Sequence, residues 1–379
     1  MNTNHIVIGK KKDCTGCGAC EYVCPKQAIT LNSDKEGFLE PAVDINKCVD
    51  CGLCIANCHI RNNASYGLLN YEQYAVKHKD DRIRARSRSG GVFTAISDFF
   101  LEQEGSIFGA VLNKESFKVE HICAHPVEER DRMCGSKYVQ SDMKDVFPEL
   151  KKQLDNGKQV LFTGTPCQVS AVAKVFKQDK YPNLVLCDFV CHGVPSEKLF
   201  SQYIAWCSQK YKGKVTDFLF RNKQKFDWES HIEDVTVGNR HIYSKKYAEL
   251  FSKSVCLRES CYSCKYTTKN RIADFTIADY WGIDQILPEF DDAKGVSLLI
   301  VRSETAKHIF NCIKNNLNCQ NTIKYEPLHY NLKRPTLRPK ERDEFYEDLS
   351  SKGFEYVSLK YGENSILRRI RNRLFYNIR

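Results

Sequence analysis

The sequence predicts a small α+β unit with internal two-fold symmetry, followed by a larger mixed α/β unit. Three observations carry this. Eight of the 19 cysteines fall in two matched runs within the first sixty residues. From Ser106 onward, apolar strand-like stretches alternate with turns and amphipathic helical stretches, the pattern of a parallel sheet flanked by helices. A strand-rich segment at 215–250 interrupts that alternation. At 379 residues the chain is long enough for two or three domains, and 42% hydrophobic residues suffice for real cores.

The first unit is built on Cys14, Cys17, Cys20 and Cys24, then Cys48, Cys51, Cys54 and Cys58. Both runs read C-x2-C-x2-C-x3-C, and each cysteine of the second lies 34 positions after its counterpart. Three thiolates at two-residue gaps can wrap one cubane, while the fourth reaches the other cluster. This assigns Cys14, Cys17, Cys20 and Cys58 to one 4Fe-4S cluster, and Cys48, Cys51, Cys54 and Cys24 to a second. A structural zinc site wants ligand pairs across a longer loop, which leaves the third cysteine of each run without a place. Disulfides suit small secreted scaffolds, and nothing else here looks secreted. Pro25 follows the first run, as in bacterial ferredoxins; His59 stands at the equivalent place in the second. Ala28–Leu31 and Gly37–Val43 read as strands around a turn, with helices at Ala19–Cys24 and Leu53–Cys58. The result is a ferredoxin-like two-cluster domain over residues 1–65, with a linker at 61–70 rich in turn formers.

No run of some 18 apolar residues is present, so no transmembrane helix is expected. Met1–Lys12 lacks the apolar core of a signal peptide, and 19 cysteines suit a reducing, cytoplasmic setting. The formal charge is +10. Residues 1–68 hold seven basic and seven acidic side chains, so the excess lies downstream. An anionic cofactor or acidic redox partner explains that excess better than nucleic acid, for which no binding module is recognised.

In the larger unit, Tyr74–His78 is a strand. Arg82, Arg84, Arg86 and Arg88 then lead into Ser89-Gly90-Gly91 and a helix marked by Val92, Phe93, Ile96, Phe99 and Phe100. A serine and two glycines at a helix N-terminus offer an anion site, or an ordinary cap with Ser89 as the capping residue. Ser106–Leu112 is a strand. Gly135, Ser136, Lys137 and Tyr138 open a GSKYVQS loop that supplies glycine, a cation, a ring and hydroxyls; it is a flavin or phosphate loop, or a plain turn. Lys158–Thr163 and Asn183–Val190 are strands ending at Gly164-Thr165-Pro166-Cys167 and Cys191-His192-Gly193. Helices follow at Gln168–Phe176 and Ser196–Gln209. Ligands of parallel sheets lie at strand carboxyl ends, so Cys167 and Cys191 are expected to face one site. Val215–Arg221, Ile232–Val237 and Arg240–Tyr243 form the strand-rich insertion. Cys261-Tyr262-Ser263-Cys264 precedes strands at Ile272–Ile277 and 295–301, and Glu304–Asn315 is helical. In the tail, Ser365–Arg379 carries five arginines and no acid, with Ile366, Leu367, Ile370 and Leu374 on one helical face, a weak membrane-surface contact or a frayed terminus.

Of the remaining cysteines, Cys167, Cys191, Cys261 and Cys264 sit at loop ends. Four thiolates suit a further 4Fe-4S cluster or a zinc site; Cys187 and Cys256 are spare candidates. SGGVFTAI (89–96), GSKYVQS (135–141), GTPCQVSA (164–171), CHGVPS (191–196), SCYSCKY (260–266) and ADFTIADYWG (273–282) occur in this order. Together they resemble the family of coenzyme F420 hydrogenase/dehydrogenase beta subunits, in the subgroup with a fused ferredoxin, over roughly residues 5–340. The resemblance implies a larger mixed α/β flavin and iron–sulfur domain after the ferredoxin, in two parts at 69–180 and 181–345, before a basic tail at 346–379. It implies FAD held by Ser89–Gly91 and by Gly135, Ser136, Lys137 and Tyr138, a third cluster on Cys167, Cys191, Cys261 and Cys264, and electron exchange with an organic hydride carrier such as the deazaflavin F420. Phe226-Asp227-Trp228 departs from the Gly-Trp pair of many members. Two other functions stay open: a ferredoxin-fed reductase of cell-surface polysaccharide precursors, and an electron relay that binds no substrate. No proton-transfer residue stands out.

Overall fold

The computed structural model describes residues 12–61, 70–143 and 145–362. Most of the expected linker and the tail Ser365–Arg379 lie outside them.

Strands β1 (Ile29–Ser33) and β2 (Leu39–Val43) pair antiparallel, with Ile29 opposite Val43 and Ser33 opposite Leu39. Their turn is tied by the Asp34 carboxylate, which accepts from the amides of Glu36 and Phe38, both at 2.9 Å. The short helices Ala19–Tyr22 and Leu53–Ala56 each start after a left-handed glycine, Gly18 (φ 79°) and Gly52 (φ 74°). These glycines occupy equivalent places in the repeat, so the two-fold pattern of the cysteines is also a two-fold pattern of backbone.

The larger unit is organised by one eight-stranded mixed sheet. Its strands are β3 (Glu72–His78), β4 (Ser106–Leu112), β5 (Val119–Ala124), β6 (Val160–Gly164), β7 (Leu184–Phe189), β11 (Phe275–Asp279), β12 (Ser297–Val301) and β13 (Leu317–Asn321). Between β7 and β11 the chain inserts a separate antiparallel sheet of β8 (Val215–Leu219), β9 (Glu233–Val237) and β10 (Arg240–Ser244). The order in the large sheet is β13-β3-β12-β11-β7-β6-β4-β5. The expected parallel pairing holds for β4, β6, β7 and β11. The flanks are antiparallel: β4 returns directly as β5, since six residues cannot make a parallel crossover, which needs a dozen or more. The boundary expected near residue 180 falls within this continuous sheet.

Apolar cores cover both faces. Helices Val92–Leu101 and Glu304–Ile313 pack on one side, Val146–Asp155 and Pro166–Val175 on the other. The insertion has its own core, in which Phe200 and Tyr203 of helix Glu197–Lys210 meet Phe354 and Val357 of helix Arg342–Lys360. Residues 346–362 are therefore a docked helix and its end, where the sequence pattern suggests a basic tail. Among the described residues no helix is long and apolar enough to cross a membrane.

Gly90 is pressed between strands. A Cβ there would lie 2.1 Å from the Val76 carbonyl and 2.6 Å from the Ser297 amide. Gly90→Ala should cost about 1–3 kcal/mol by overpacking, read as a lower denaturation midpoint. An unchanged midpoint would contradict the packing.

Candidate functional site at the seam and the strand ends

The cysteines form three groups, of which the first and third meet where the two units touch. In the first, burial above all, with Cys14, Cys58 and Cys167 adding to it, pushes the Cys17 thiol up to about 12. Cys20 is raised by burial and then by Cys17, Cys14 and Cys58. Cys58 therefore stands with the first three cysteines of the first run. The second group, Cys24, Cys48, Cys51 and Cys54, lines a small cleft with Pro25, Ile29, Val49 and Leu53, and Cys51 is exposed. Backbone amides already point at two sulfurs: Gly16 donates to Cys14 Sγ at 3.4 Å and Ala28 to Cys24 Sγ at 3.3 Å.

The third group forms where β6 and β7 end side by side. Thr165 caps the helix that starts at Pro166, through a box with Gln168, and this turn carries Cys167. Cys191 follows β7. Burial raises Cys191 far above an ordinary thiol, with Cys261, Cys167 and Cys264 adding to the shift. Cys261 is pushed up to about 12 and Cys264 to about 11, burial again first, and each feels Cys167. Gly193 (φ 134°) lets the Cys191 turn pass the Cys261 turn: a Cβ there would sit 2.7 Å from Leu257 and 3.2 Å from Cys261. Cys187 and Cys256, the spare candidates, are packed in the cores instead. Among the described residues no three His, Cys, Asp or Glu side chains stand grouped to hold a metal ion.

Thiolates crowded in this way repel one another and lose hydration, so they stay anionic only beside compensating positive charge. An all-sulfur donor set suits iron–sulfur clusters or zinc, either of which would supply that charge. The residues present fit such a group.

The first and third groups adjoin. Arg258, 3% exposed, donates to the carbonyls of Cys14 and Leu39, both at 2.8 Å, and to Gln140 Oε1 at 3.0 Å. Gln140 in turn donates to the Thr15 carbonyl at 3.0 Å. Gly16 has to be glycine for this, because a Cβ would meet Leu39 O at 2.6 Å and Arg258 Nη1 at 2.9 Å. His59 is buried with Thr15 Oγ1 3.1 Å from Nε2 and the Tyr266 hydroxyl against Nδ1. Burial pulls its pKa down to about 3, so the ring is neutral. Farther out, Arg342 clasps Glu36 with both nitrogens, at 3.0 and 2.6 Å.

A second constellation surrounds Asp279 at the end of β11. Arg88 Nη2 lies 3.1 Å from its carboxylate and Arg221 Nη1 3.3 Å; Arg221 also reaches the Tyr138 hydroxyl at 3.3 Å. Burial pulls the Asp279 carboxyl up while Arg88, His329, His231 and Lys223 pull it back. Trp228 stacks on Trp281 with centroids 5.1 Å apart. Arg88 meets Asp279 as an ion pair out of hydrogen-bond alignment. Its guanidinium is buried between the Asp279 carboxylate and the Tyr138 hydroxyl.

Residues 157–334 match the family model for the C-terminal part of the coenzyme F420 hydrogenase/dehydrogenase beta subunit, and residues 73–147 match the model for its N-terminal part. The chain belongs to the family of coenzyme F420 hydrogenase/dehydrogenase beta subunits. Residues 13–62 match a 4Fe-4S dicluster domain, so the chain is an iron–sulfur member. It is 24% identical to a coenzyme F420-dependent sulfite reductase of Methanocaldococcus jannaschii over 348 residues, which is 88% of this chain and 51% of that protein. The chain thus spans about half the length of that relative. It is 22% identical to the F subunit of the F420H2 dehydrogenase of Methanosarcina mazei over 320 residues, or 80% of this chain and 83% of that one. A solved structure of the F420-reducing nickel–iron hydrogenase complex from Methanosarcina barkeri aligns over 83% of this chain and 95% of its own, with TM-score 0.46 and 14% identity.

Within this family member the cofactor residues named from sequence divide in two. Ser89 Oγ is 2.9 Å from Ser297 Oγ, and the Gly90 amide donates to the same hydroxyl at 2.9 Å. Gly91, in the left-handed region (φ 87°), takes the capping position expected of Ser89, and no side chain caps the helix. Lys137 turns back on its own loop and donates to the carbonyls of Arg132, Met133, Cys134 and Gly135. Gly135 (φ 81°) borders open space, and Ser136 adjoins the Tyr138 hydroxyl. Tyr138 reaches the Asp279 constellation. Sequence reasoning alone does not single out Arg88, Arg221, Lys223 and Asp279 as site residues. The arginine run and the ADYWG motif are the signals, but only the fold brings them together.

Tyr266→Phe keeps the ring and leaves His59 Nδ1 unpartnered. We expect a loss of about 1–3 kcal/mol in denaturant unfolding; unchanged stability would show that the hydroxyl does not hold the seam.

Proposed function

We propose that this chain is an iron–sulfur flavoprotein oxidoreductase that passes electrons between its N-terminal clusters and an organic hydride acceptor through a third cluster and FAD. The observation that carries the reading is the adjacency of Cys17 to Cys167, which joins the first ligand group to the third. In this reading Cys14, Cys17, Cys20 and Cys58 hold the inner N-terminal cluster, Cys24, Cys48, Cys51 and Cys54 the outer one, and Cys167, Cys191, Cys261 and Cys264 the third. The clusters supply one-electron transfer, and FAD interconverts single electrons with hydride equivalents.

The protein's own part is binding and electrostatics. Arg88, buried against Asp279, offers its guanidinium to a phosphate or another anionic group, assisted by the N-terminus of helix Val92–Leu101, which no side chain caps. Tyr138 and the Trp228–Trp281 stack give flat apolar walls, the usual companions of a ring system. Lys223 is pulled down to about 7 by burial and by Arg84 and Arg88, and its amine donates to the carbonyls of Arg84 (2.8 Å) and Ser89 (2.7 Å). It secures the Ser89–Gly91 turn and can exchange a proton near neutral pH. The acceptor is a polyanionic deazaflavin or another soluble hydride carrier drawn by these cations.

Anaerobically purified protein should contain about twelve irons per chain, from three four-iron sites, and one flavin. Eight irons without flavin would leave only an electron relay. Changing Cys261 and Cys264 together to Ser should remove about four irons; unchanged iron would refute the third site. Arg88→Leu should release flavin at unchanged iron content, and full flavin retention would refute its role.

A further inference from the structure

Arg258 differs from most other deeply buried arginines; Arg302 also bonds only neutral oxygens, but Asp188 and Asp274 lie near it. Arg130, Arg271 and Arg342 each meet a carboxylate, from Asp98, Asp188 and Glu36 respectively. Every partner of Arg258 is neutral: two carbonyls and an amide oxygen, with the Phe38 ring 5.4 Å from its guanidinium carbon. No carboxylate pairs with it among the described residues. A buried cation without an opposite charge is costly, and the Glu36 and Glu259 carboxylates that line the same cavity are engaged by Arg342 and Arg338, so something anionic besides these has to stand near it.

Its connections show what. Its amide donates to the Val194 carbonyl at 2.9 Å and its carbonyl accepts from the Cys261 amide at 2.9 Å. The backbone of Arg258 is thus part of the turn that carries the third cysteine group. Its side chain reaches across the seam to the Cys14 carbonyl.

We propose that Arg258 is the shared counter-ion of the first and third cysteine groups, fixing the gap between them and favouring the reduced state of both clusters. This rests on the third cluster proposed above. Reduction adds negative charge, which a cation stabilises most strongly where water is excluded. The second group lines a cleft of N-terminal residues that does not include Arg258, so its potential should not depend on it. Arg258 is a positioning residue: it touches ligand loops and no reacting atoms.

The test is a potentiometric titration of the anaerobically purified full chain, followed by electron paramagnetic resonance, with iron content measured in parallel. Arg258→Gln should move two of three cluster signals to lower potential, leave the third in place and keep iron at the wild-type level. Arg258→Lys, which retains the charge without the fork, should return both signals toward wild type. Gln140→Glu sets a carboxylate beside the intact guanidinium and should lower the same two potentials, so it decides the matter if Arg258→Gln does not fold. Unchanged potentials in Arg258→Gln and Gln140→Glu would overturn the proposal, as would an equal fall of all three signals with loss of iron. If wild-type protein shows only eight irons and two signals, the third site fails independently. Arg258 then stands if the inner of the two signals still moves, and falls if it does not.

Discussion

A thiolate costs more the further it is taken from water and the closer it stands to another thiolate. Cys17, Cys20, Cys191 and Cys261 are all raised by burial and by neighbouring cysteines. A chain that packs its cysteines this way has to supply positive charge, close backbone approach and hydrogen-bond donors around them. Gly18 and Gly52 turn the backbone behind each N-terminal run. Gly16 and Gly193 let neighbouring loops pass at distances a side chain would block. The Cys14 and Cys24 sulfurs each receive an amide, a contact that tunes cluster potential.

The large sheet does the positioning on its side. Parallel β6, β7 and β11 end next to one another, so Cys167, Cys191 and Asp279 emerge in neighbouring places without long-range contrivance, as expected at strand carboxyl ends. Cys261 and Cys264 arrive from the insertion, which is why β8–β10 and their own core interrupt the alternation. Helix Arg342–Lys360 stabilises that insertion, and through Arg342 and Glu36 it also ties the insertion to the N-terminal unit. The same helix therefore supports both the third cysteine group and the docking of the first.

The cysteine runs and the strand-to-helix units were legible in the sequence because each rests on local spacing: two-residue gaps for ligands, alternating apolar runs for strands, Thr-Pro and Pro-Ser for helix starts. Ser106–Leu112 appears as β4 with the same ends. What was illegible depended on distant partners. β5 and β13 are edge strands with weak patterns of their own, set by β4 and β3. Helix Arg342–Lys360 reads in sequence as the start of a charged tail because its buried residues are spread around a kink at Gly353. Arg88 looks like one of a row of arginines, and Lys137 like a free cation. Only the fold shows that the first is buried against Asp279 and the second is bound to four carbonyls. Trp228, in the segment that departs from the common Gly-Trp pair, stacks on Trp281 of the ADYWG motif, which gives the departure a place in the same constellation.

Three cluster sites, with the first and third side by side at the seam, follow from the grouping of the cysteines. An anomalous iron difference map from crystals of the anaerobically purified protein measures this most directly. The account predicts three compact iron peaks: within Cys24, Cys48, Cys51 and Cys54; within Cys14, Cys17, Cys20 and Cys58; and within Cys167, Cys191, Cys261 and Cys264. Two peaks, with the last group empty of iron, would contradict it.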